Sequence, residues 1–192
     1  MNAPLYPPAQ HVKRKLSVDD AIKLKASGVF YPDDPELEVI DGDLYELPAD
    51  GPRTRRWNAA IARWLFSNLG PDYVIMPDKT LPVSTYYGPQ PDFYIFDAAI
   101  RDEDVSGAHV LLVIEVADTT MDMDSRVKAP RYAEGGVREY WLIDVEARRT
   151  LVHRLREDGA YDEPSEIAYD QPVHALLIPD LTLTLSSLPR LD

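Results

Sequence analysis

The sequence predicts a fold of the α/β or α+β class, in which a mixed β-sheet is flanked by helices. Three observations predict it. From residue 73 onward, several short apolar runs have the length and composition of strands; two longer stretches have helical periodicity; and an alternating hairpin pattern precedes both. Elements in this order pack as layers of helices on a sheet. An all-β sandwich does not account for the helical stretches.

Length and apolar content limit the kind of protein. With 192 residues, 45% of them apolar, the chain can build one domain with a full core. We expect residues 1–15, which contain several prolines, to form a flexible arm, and residues 16–192 to form a single domain. No run reaches the roughly 18 apolar residues of a membrane span, and no apolar signal segment is present, so a cytoplasmic location without membrane contact is expected. The absence of cysteine excludes disulfides and thiolate metal sites.

The formal net charge of −13 restricts how nucleic acid could bind. Electrostatic binding of nucleic acid relies on several lysine or arginine contacts to phosphates. DNA, if it is a partner, should therefore contact a local basic patch or a metal bridge. One such patch is Arg53, Arg55 and Arg56, at the start of a helical pattern. Cations there oppose the helix dipole, so phosphate contact would explain them, and a solvated helix start is the alternative.

The N-terminal elements are a short helix and a hairpin. Ser17 can cap a helix that Gly28 ends, and Asp20 occupies the third position after the cap. The segment LEVIDGDLYEL alternates around Asp41-Gly42, which is a strong signal for a β-hairpin. Glu38, on its first strand, would be an exposed strand residue if taken alone.

A long helix and a series of strands follow. The helix is predicted from Arg53 to Leu69, with its apolar residues spaced for one buried side. A second helix is expected within Asp124 to Glu134, with a kink or a helix start near Pro130 because proline lacks a backbone N–H. The predicted strands lie near residues 73–76, 81–84, 92–96, 110–116, 139–144 and 150–155, with one or two more between 161 and 188.

Two carboxylates occur where charge is costly to bury. Asp92 follows Pro91 at the start of an apolar strand, and Glu115 interrupts the run LLVIEV. A carboxylate in such a position must be paired, protonated or bound to a cation. Mg²⁺ (or Mn²⁺) is commonly held by one or two carboxylates together with substrate phosphate, so this pair could hold one if the two strands are neighbours. Lys128, on the second helix, could orient or help deprotonate an attacking water and offset charge on phosphorus.

Several segments together resemble a known family. They are EVIDGDLYEL, Pro91-Asp92, the strand ending in Glu115-Val116, the spaced set Asp124, Lys128 and Tyr132, and GVREYWLID. From about Ser17 to Leu188 the chain resembles the Uma2 family of restriction-endonuclease-like proteins, a branch of the PD-(D/E)xK nuclease superfamily. The resemblance implies a restriction-endonuclease-like core with an N-terminal β-hairpin and a magnesium-dependent site that cleaves DNA phosphodiester bonds.

The resemblance also implies roles for individual residues. Asp92 and Glu115 would be metal ligands, and Lys128 would be a migrated catalytic lysine, because the usual lysine position is Ala117 in this chain. Glu38 would be an outer metal ligand or a partner of the lysine. The family often has a histidine near the start of the long helix, where this chain reads RTRRWNAAI.

Each candidate also has a purely structural interpretation. Asp92 could end a turn, Glu115 could form a buried ion pair, Lys128 could be a solvated helix lysine, and Asp124 could belong to the acidic first turn of a helix. Three functional classes follow: a metal-dependent DNA nuclease, a nuclease-fold protein that binds nucleic acid or a protein without cutting, and a magnesium-dependent hydrolase of a small phosphorylated substrate. A homodimer is possible by analogy with nucleases that cut both strands.

Overall fold

The computed structural model describes residues 13–29, 36–47, 49–118 and 120–189. The predicted arm at residues 1–15 therefore falls mostly outside the described residues. In chain order the helices and strands are α1 (Val18–Ala26), β1 (Leu37–Ile40), β2 (Asp43–Glu46), α2 (Pro52–Asn68), β3 (Tyr73–Pro77), β4 (Phe93–Asp97), β5 (Val110–Ala117), α3 (Met121–Met123), α4 (Ala129–Glu134), β6 (Glu139–Asp144), β7 (Arg149–Arg154), β8 (Ser165–Ala168), β9 (Pro172–His174) and β10 (Thr182–Thr184).

Six of these strands form the central sheet, in the spatial order β3-β4-β5-β6-β7-β8. β5 and β6 are parallel, and the other neighbouring pairs are antiparallel. The helical segment between β5 and β6 makes the connection that a parallel pair requires. The expected mixed sheet flanked by helices is confirmed. Within the described residues, no helix has the length and apolar character needed to cross a membrane.

Side chains of β5 alternate between two apolar cores. Ile114 and Val116 pack with residues of α2 in one core, whereas Val113 and Ala117 pack with Tyr132 of α4 in the other. Because strand side chains alternate between the faces of a sheet, Glu115 projects toward the α4 side. The apolar run LLVIEV is thus a strand covered on both faces, and Glu115 is only 5% exposed.

The long helix α2 supplies much of the first core. Pro52 occupies its first turn, where a missing N–H costs nothing, and the helix ends one residue before the predicted Leu69. Trp57, Ile61 and Leu65 face the sheet and are buried, as their spacing predicts.

The hairpin β1–β2 docks beside the second core. Its turn has Asp41 at φ 55° and Gly42 at φ 85°, as a two-residue hairpin turn of type I′ requires. A Cβ on Gly42 would lie 2.6 Å from Cβ of Lys15, so glycine also lets the preceding chain approach. Val39 exchanges backbone hydrogen bonds with Gly88, which fixes the hairpin against the loop that precedes β4.

Between α3 and α4 the helix widens into a π-helical turn, Asp124–Lys128, in which the Ala129 N–H bonds to the Asp124 carbonyl. Pro130 then lies in the first turn of α4, so the departure from a regular helix that was expected near this proline takes the form of the π-helical turn, and the segment from residue 121 to 134 stays helical throughout. The same segment differs from a simple helix because proline cannot continue the regular α-helical ladder.

One predicted strand is wrong. Residues 81–84 form an extended segment that ends in a single bridge between Ser84 and Tyr87. Pro82 has no N–H to donate, which disfavours a regular ladder there.

Candidate metal-dependent nuclease site

Lys128 lies at the centre of a buried acidic cluster. Its Nζ is 3.1 Å from Oε1 of Glu38, 3.2 Å from Oε1 of Glu115 and 3.4 Å from Oδ1 of Asp124. The four side chains, which we call the Lys128 cluster, are between 2% and 7% exposed. If all four are ionised, one ammonium faces three carboxylates, and the cluster has a formal charge of −2.

Separate parts of the fold bring these groups together. Glu38 comes from β1 and Glu115 from β5, while Asp124 and Lys128 are the first and last residues of the π-helical turn. The turn directs Lys128 toward the acids, and Pro130 in the following helix does not tilt it away. Glu38 is 1% exposed, so it is not the exposed strand residue that its position alone suggests.

Further hydrogen bonds fix the two glutamates. The Tyr132 hydroxyl donates to Oε1 of Glu115 at 3.0 Å, and the backbone N–H of Gln90 donates to Oε1 of Glu38 at 2.8 Å. Tyr132 is fully buried, and its hydroxyl belongs to the site. Hydrogen bonds of this kind hold a carboxylate in one orientation.

Asp92 joins three elements at the start of β4. Its Oδ1 accepts a hydrogen bond from Nδ2 of Asn58 on α2 at 2.7 Å, and its Oδ2 accepts one from the Val116 N–H on β5 at 2.6 Å. The backbone of Asp92 also accepts a bond from the Asp78 N–H. Asp92 and Glu115 therefore lie on adjacent antiparallel strands, as a shared ion would require.

Burial dominates the protonation of these groups. It raises the pKa of Asp92 to about 7, although the hydrogen bonds from Val116 and Asn58 lower it. Burial also raises the pKa of Glu115 well above its usual value, against the opposing charge of Lys128. Burial disfavours the charged form of Lys128, but its three carboxylate neighbours outweigh that effect and raise its pKa. Lys128 is thus an ammonium at neutral pH, and this one positive charge is shared by three acidic side chains.

The carboxylate oxygens of these residues could supply part of the coordination shell of a divalent ion, and other ligands would complete it. Among the described residues, no hydrogen bond reaches Oε2 of Glu115 or Oε2 of Glu38. Each oxygen of Asp92 accepts one hydrogen bond and keeps a second lone pair. In the same described part of the chain, no three His, Asp or Glu side chains are arranged to hold a metal by themselves. A closed structural site is therefore not formed, whereas Mg²⁺ with water and substrate phosphate would fit.

The predicted basic patch lies in the first turn of α2, which contains no acidic residue. Arg53, Arg55 and Arg56 are exposed. Nη1 of Arg53 is 3.2 Å from Oδ1 of Asp118, and its Nη2 donates to the Val145 carbonyl at 3.0 Å. Asp118 directly follows β5, so the patch lies at the end of the sheet where β5 and β6 end.

Sequence reasoning gave Asn58 and Asp124 no role in the site. Asn58 had a detectable signal, because it lies three and seven residues before Ile61 and Leu65, on the side of the helix that otherwise faces the core. Asp124 was singled out only by its place in the family pattern, since its contact with Lys128 depends on the π-helical turn and on burial by other elements.

The sequence comparison identifies the family. A sequence model of the Uma2 family, described as "Putative restriction endonuclease", matches residues 24–186. The chain belongs to the Uma2 family. The matched range contains both acidic strands, the hairpin that supplies Glu38, and Lys128, so the resemblance in the sequence is confirmed.

A solved structure has a similar fold. It is described as "a putative nuclease belonging to DUF820 from Anabaena variabilis ATCC 29413", and it is 16% identical to this Uma2 protein, with a TM-score of 0.65 over 89% of this chain and 96% of that chain. At this identity the likeness shows the fold alone. No protein of curated function matches the chain. Family and fold together support a nuclease function.

Proposed function

We propose that this Uma2 protein hydrolyses DNA phosphodiester bonds with the help of a divalent metal ion. Asp92 and Glu115 would hold Mg²⁺ or Mn²⁺. The observation that supports this most directly is the unbalanced charge of the Lys128 cluster, in which one ammonium faces three buried carboxylates. Buried carboxylates in excess of their cations must be protonated or bind another cation.

Residues of this chain would prepare the site for reaction. A bound divalent ion would polarise the phosphate and lower the pKa of a water molecule. Lys128, which remains protonated, would stabilise negative charge that develops on the phosphate and would not act as a base. Glu38 and Asp124 would hold the ammonium in place, and Tyr132 would orient Glu115.

Two hydrogen-bond donors, Asn58 and the Val116 N–H, would orient the carboxylate of Asp92. Asn58 and the Val116 N–H each donate to one of its oxygens, so the side chain is fixed before an ion arrives. Because a nearby cation favours the carboxylate form, metal binding would lower the pKa of Asp92 from about 7 and release a proton near neutral pH.

Cleavage of supercoiled plasmid and of single-stranded DNA with Mg²⁺, Mn²⁺ or EDTA tests the proposal. Cleavage should require the metal and should fall at least about 100-fold in Glu115→Gln and Lys128→Met. Glu157→Gln is the matched control, because Glu157 is exposed in a distant turn. Equal cleavage by Glu115→Gln and the control, with both proteins folded by circular dichroism, would exclude this site as the source of activity.

The second candidate is a nuclease-fold protein that binds nucleic acid without cutting it. The contact between Lys128 and Glu115 favours it, because the two residues could serve the fold alone. Oε1 of Glu115 already contacts both Lys128 and Tyr132, as in a purely structural ion pair. This candidate predicts that DNA is retarded in gels with a steep salt dependence and without any metal. Calorimetric titration with Mn²⁺ separates the two, because binding that is lost in Asp92→Asn and in Glu115→Gln supports the nuclease.

A further inference from the structure

A cavity of about 800 Å³ lies beside the basic patch of α2. Arg53, Arg56 and Arg148 line it together with the rings of Trp57 and Tyr169. No acidic side chain occurs among its described lining residues. In a chain with a net charge of −13, three arginines in the lining of one cavity, of which Arg53 also pairs with Asp118, form a local site for an anion.

The cavity and the Lys128 cluster lie near the same end of the sheet. Val145, which follows β6, lines the cavity, and β6 pairs in parallel with β5, the strand that contains Glu115. On α2, Arg53, Arg56 and Trp57 share the side that lines the cavity, while Asn58, the next residue, contacts Asp92. The helix α2 therefore borders the cavity and also contacts Asp92, one of the two proposed metal ligands.

The lining groups are planar as well as cationic. The guanidinium carbon of Arg148 is 4.0 Å from the centroid of the Tyr169 ring, and Tyr169 contacts Trp57 edge to face at 6.5 Å between centroids. Unpaired bases stack on aromatic rings and on guanidinium planes, and phosphates bind arginine side chains. The cavity offers both kinds of contact within one space.

The backbone of Arg148 gives an independent indication. This residue has φ 55° in the turn between β6 and β7, a conformation that a side chain other than glycine, asparagine or aspartate rarely adopts. A glycine or asparagine would form the turn at lower cost, so arginine here is explained better by the use of its side chain than by the turn.

We propose that this cavity binds one unpaired nucleotide of a DNA substrate, with its base against the Arg148 and Tyr169 planes and its phosphate at Arg53. The volume lies within the range of roughly 300–1,000 Å³ that ligand cavities usually have. A base inside a duplex is enclosed by its neighbours, so a concave site of this kind selects a single strand or an extruded nucleotide. The proposal rests on the proposed function for the identity of the polymer, but the binding itself requires no metal.

Fluorescence anisotropy with a labelled single-stranded oligonucleotide of about 12 nucleotides, in EDTA and low salt, tests the proposal. Arg148→Gln should weaken binding several-fold, because the base loses a guanidinium plane, and Arg53→Gln should reduce the slope of log K against log salt by about 0.7, because one phosphate contact is lost. Arg101→Gln is the control of equal charge change, since Arg101 pairs with Glu103 and Asp104 and does not line the cavity.

The ring contact has its own test. Tyr169→Leu should weaken binding roughly tenfold, whereas Tyr169→Phe, which keeps the ring, should retain it. The exposed Tyr45 provides a control as Tyr45→Leu. An oligonucleotide of abasic sites should bind more weakly to the wild type and should be insensitive to Tyr169→Leu.

Three outcomes would overturn the proposal: absence of oligonucleotide binding at low salt, equal effects of Arg148→Gln and Arg101→Gln, or equal affinity for the abasic strand. Binding of free dAMP without binding of the oligonucleotide would also overturn the assignment to a polymer. Because binding is measured in EDTA, its failure is distinct from failure of cleavage. Cleavage that is unaffected by Arg148→Gln would leave the nuclease proposal intact while rejecting the cavity.

Discussion

Removing the Lys128 ammonium is the sharpest test of the buried cluster. Lys128→Met keeps the length of the side chain and removes the charge from among three carboxylates at 3.1, 3.2 and 3.4 Å. At an effective dielectric constant of about 20, each contact is worth about 5 kcal/mol of gross attraction. The net effect is smaller, because the ammonium no longer has to be desolvated.

The expected loss in the free energy of unfolding is about 3–5 kcal/mol at pH 8, as is typical when one partner of a buried pair is removed. Protonation of the acids limits the loss. Burial raises the pKa of Glu115 above its value in the unfolded chain, and removal of the Lys128 charge raises it further, so this part of the stability is present at low pH and is lost as pH rises. Protonating Glu115 costs about 1.4 kcal/mol less for every unit by which the pH is lowered. The deficit of the variant should therefore shrink markedly at pH 5.5.

Urea denaturation followed by tryptophan fluorescence at pH 8 and pH 5.5 measures both effects. Lys23→Met is the control, because Lys23 is an exposed residue of α1; it should change stability by less than about 0.5 kcal/mol. Saturating Mn²⁺ should stabilise Lys128→Met, since an ion can replace part of the lost charge. A variant as stable as Lys23→Met at pH 8, or a deficit that does not depend on pH, would refute the buried charge balance described above.

Three other predictions concern the polar side chains of Asp92, Tyr132 and His153. Mn²⁺ binding should tighten from pH 6 to pH 8 and release protons, because Asp92 has a pKa of about 7 without an ion; calorimetry in two buffers of different ionisation enthalpy measures the release, and equal proton release at pH 6 and pH 8 would contradict it. Tyr132→Phe should lower the free energy of unfolding by about 1–3 kcal/mol, because Glu115 loses a buried donor; urea denaturation beside the exposed Tyr45→Phe measures the difference, and equal stabilities would contradict it. Burial lowers the pKa of His153 to about 4, so stability present above pH 6.5 should decline as pH falls toward 4; His153→Phe should remove this part of the acid sensitivity, and an unchanged pH profile would count against it.

The sequence predicted the parts of this protein that local rules determine. Asp41-Gly42 specifies its own turn, since both residues need positive φ. Glu115 stands out because a carboxylate in an apolar strand has few physical explanations, and two of those considered, a buried ion pair and a place in a catalytic site, share the same contact with Lys128. Lys128 itself was found only through its spacing within a family pattern, because a helix lysine is ordinarily solvated.

The other residues of the candidate site come together through the packing of helices and strands against each other. Glu38 is on a hairpin strand whose alternation suggests an exposed side chain, and it becomes buried because Val39 bonds to Gly88 and fixes the hairpin against the loop before β4. Asp124 reaches Lys128 through a π-helical turn, for which the sequence offers only the neighbouring proline. Sequence periodicity describes single elements, and these contacts arise between elements.

The position of the lysine has an electrostatic consequence. Ala117, where the superfamily pattern would place it, is two residues beyond Glu115 on the same face of β5 and is buried in the α4-side core. A lysine there could approach Glu115 without involving the helix. The lysine of this chain comes instead from the π-helical turn, and Asp124 accompanies it four residues earlier. Moving the cation to the helix thus brings an additional carboxylate into the buried site, so the excess of negative charge is larger than it would be with a strand lysine. Such a site should depend more strongly on an added cation, which is why Mn²⁺ stabilisation of the folded protein is expected even before any DNA is bound.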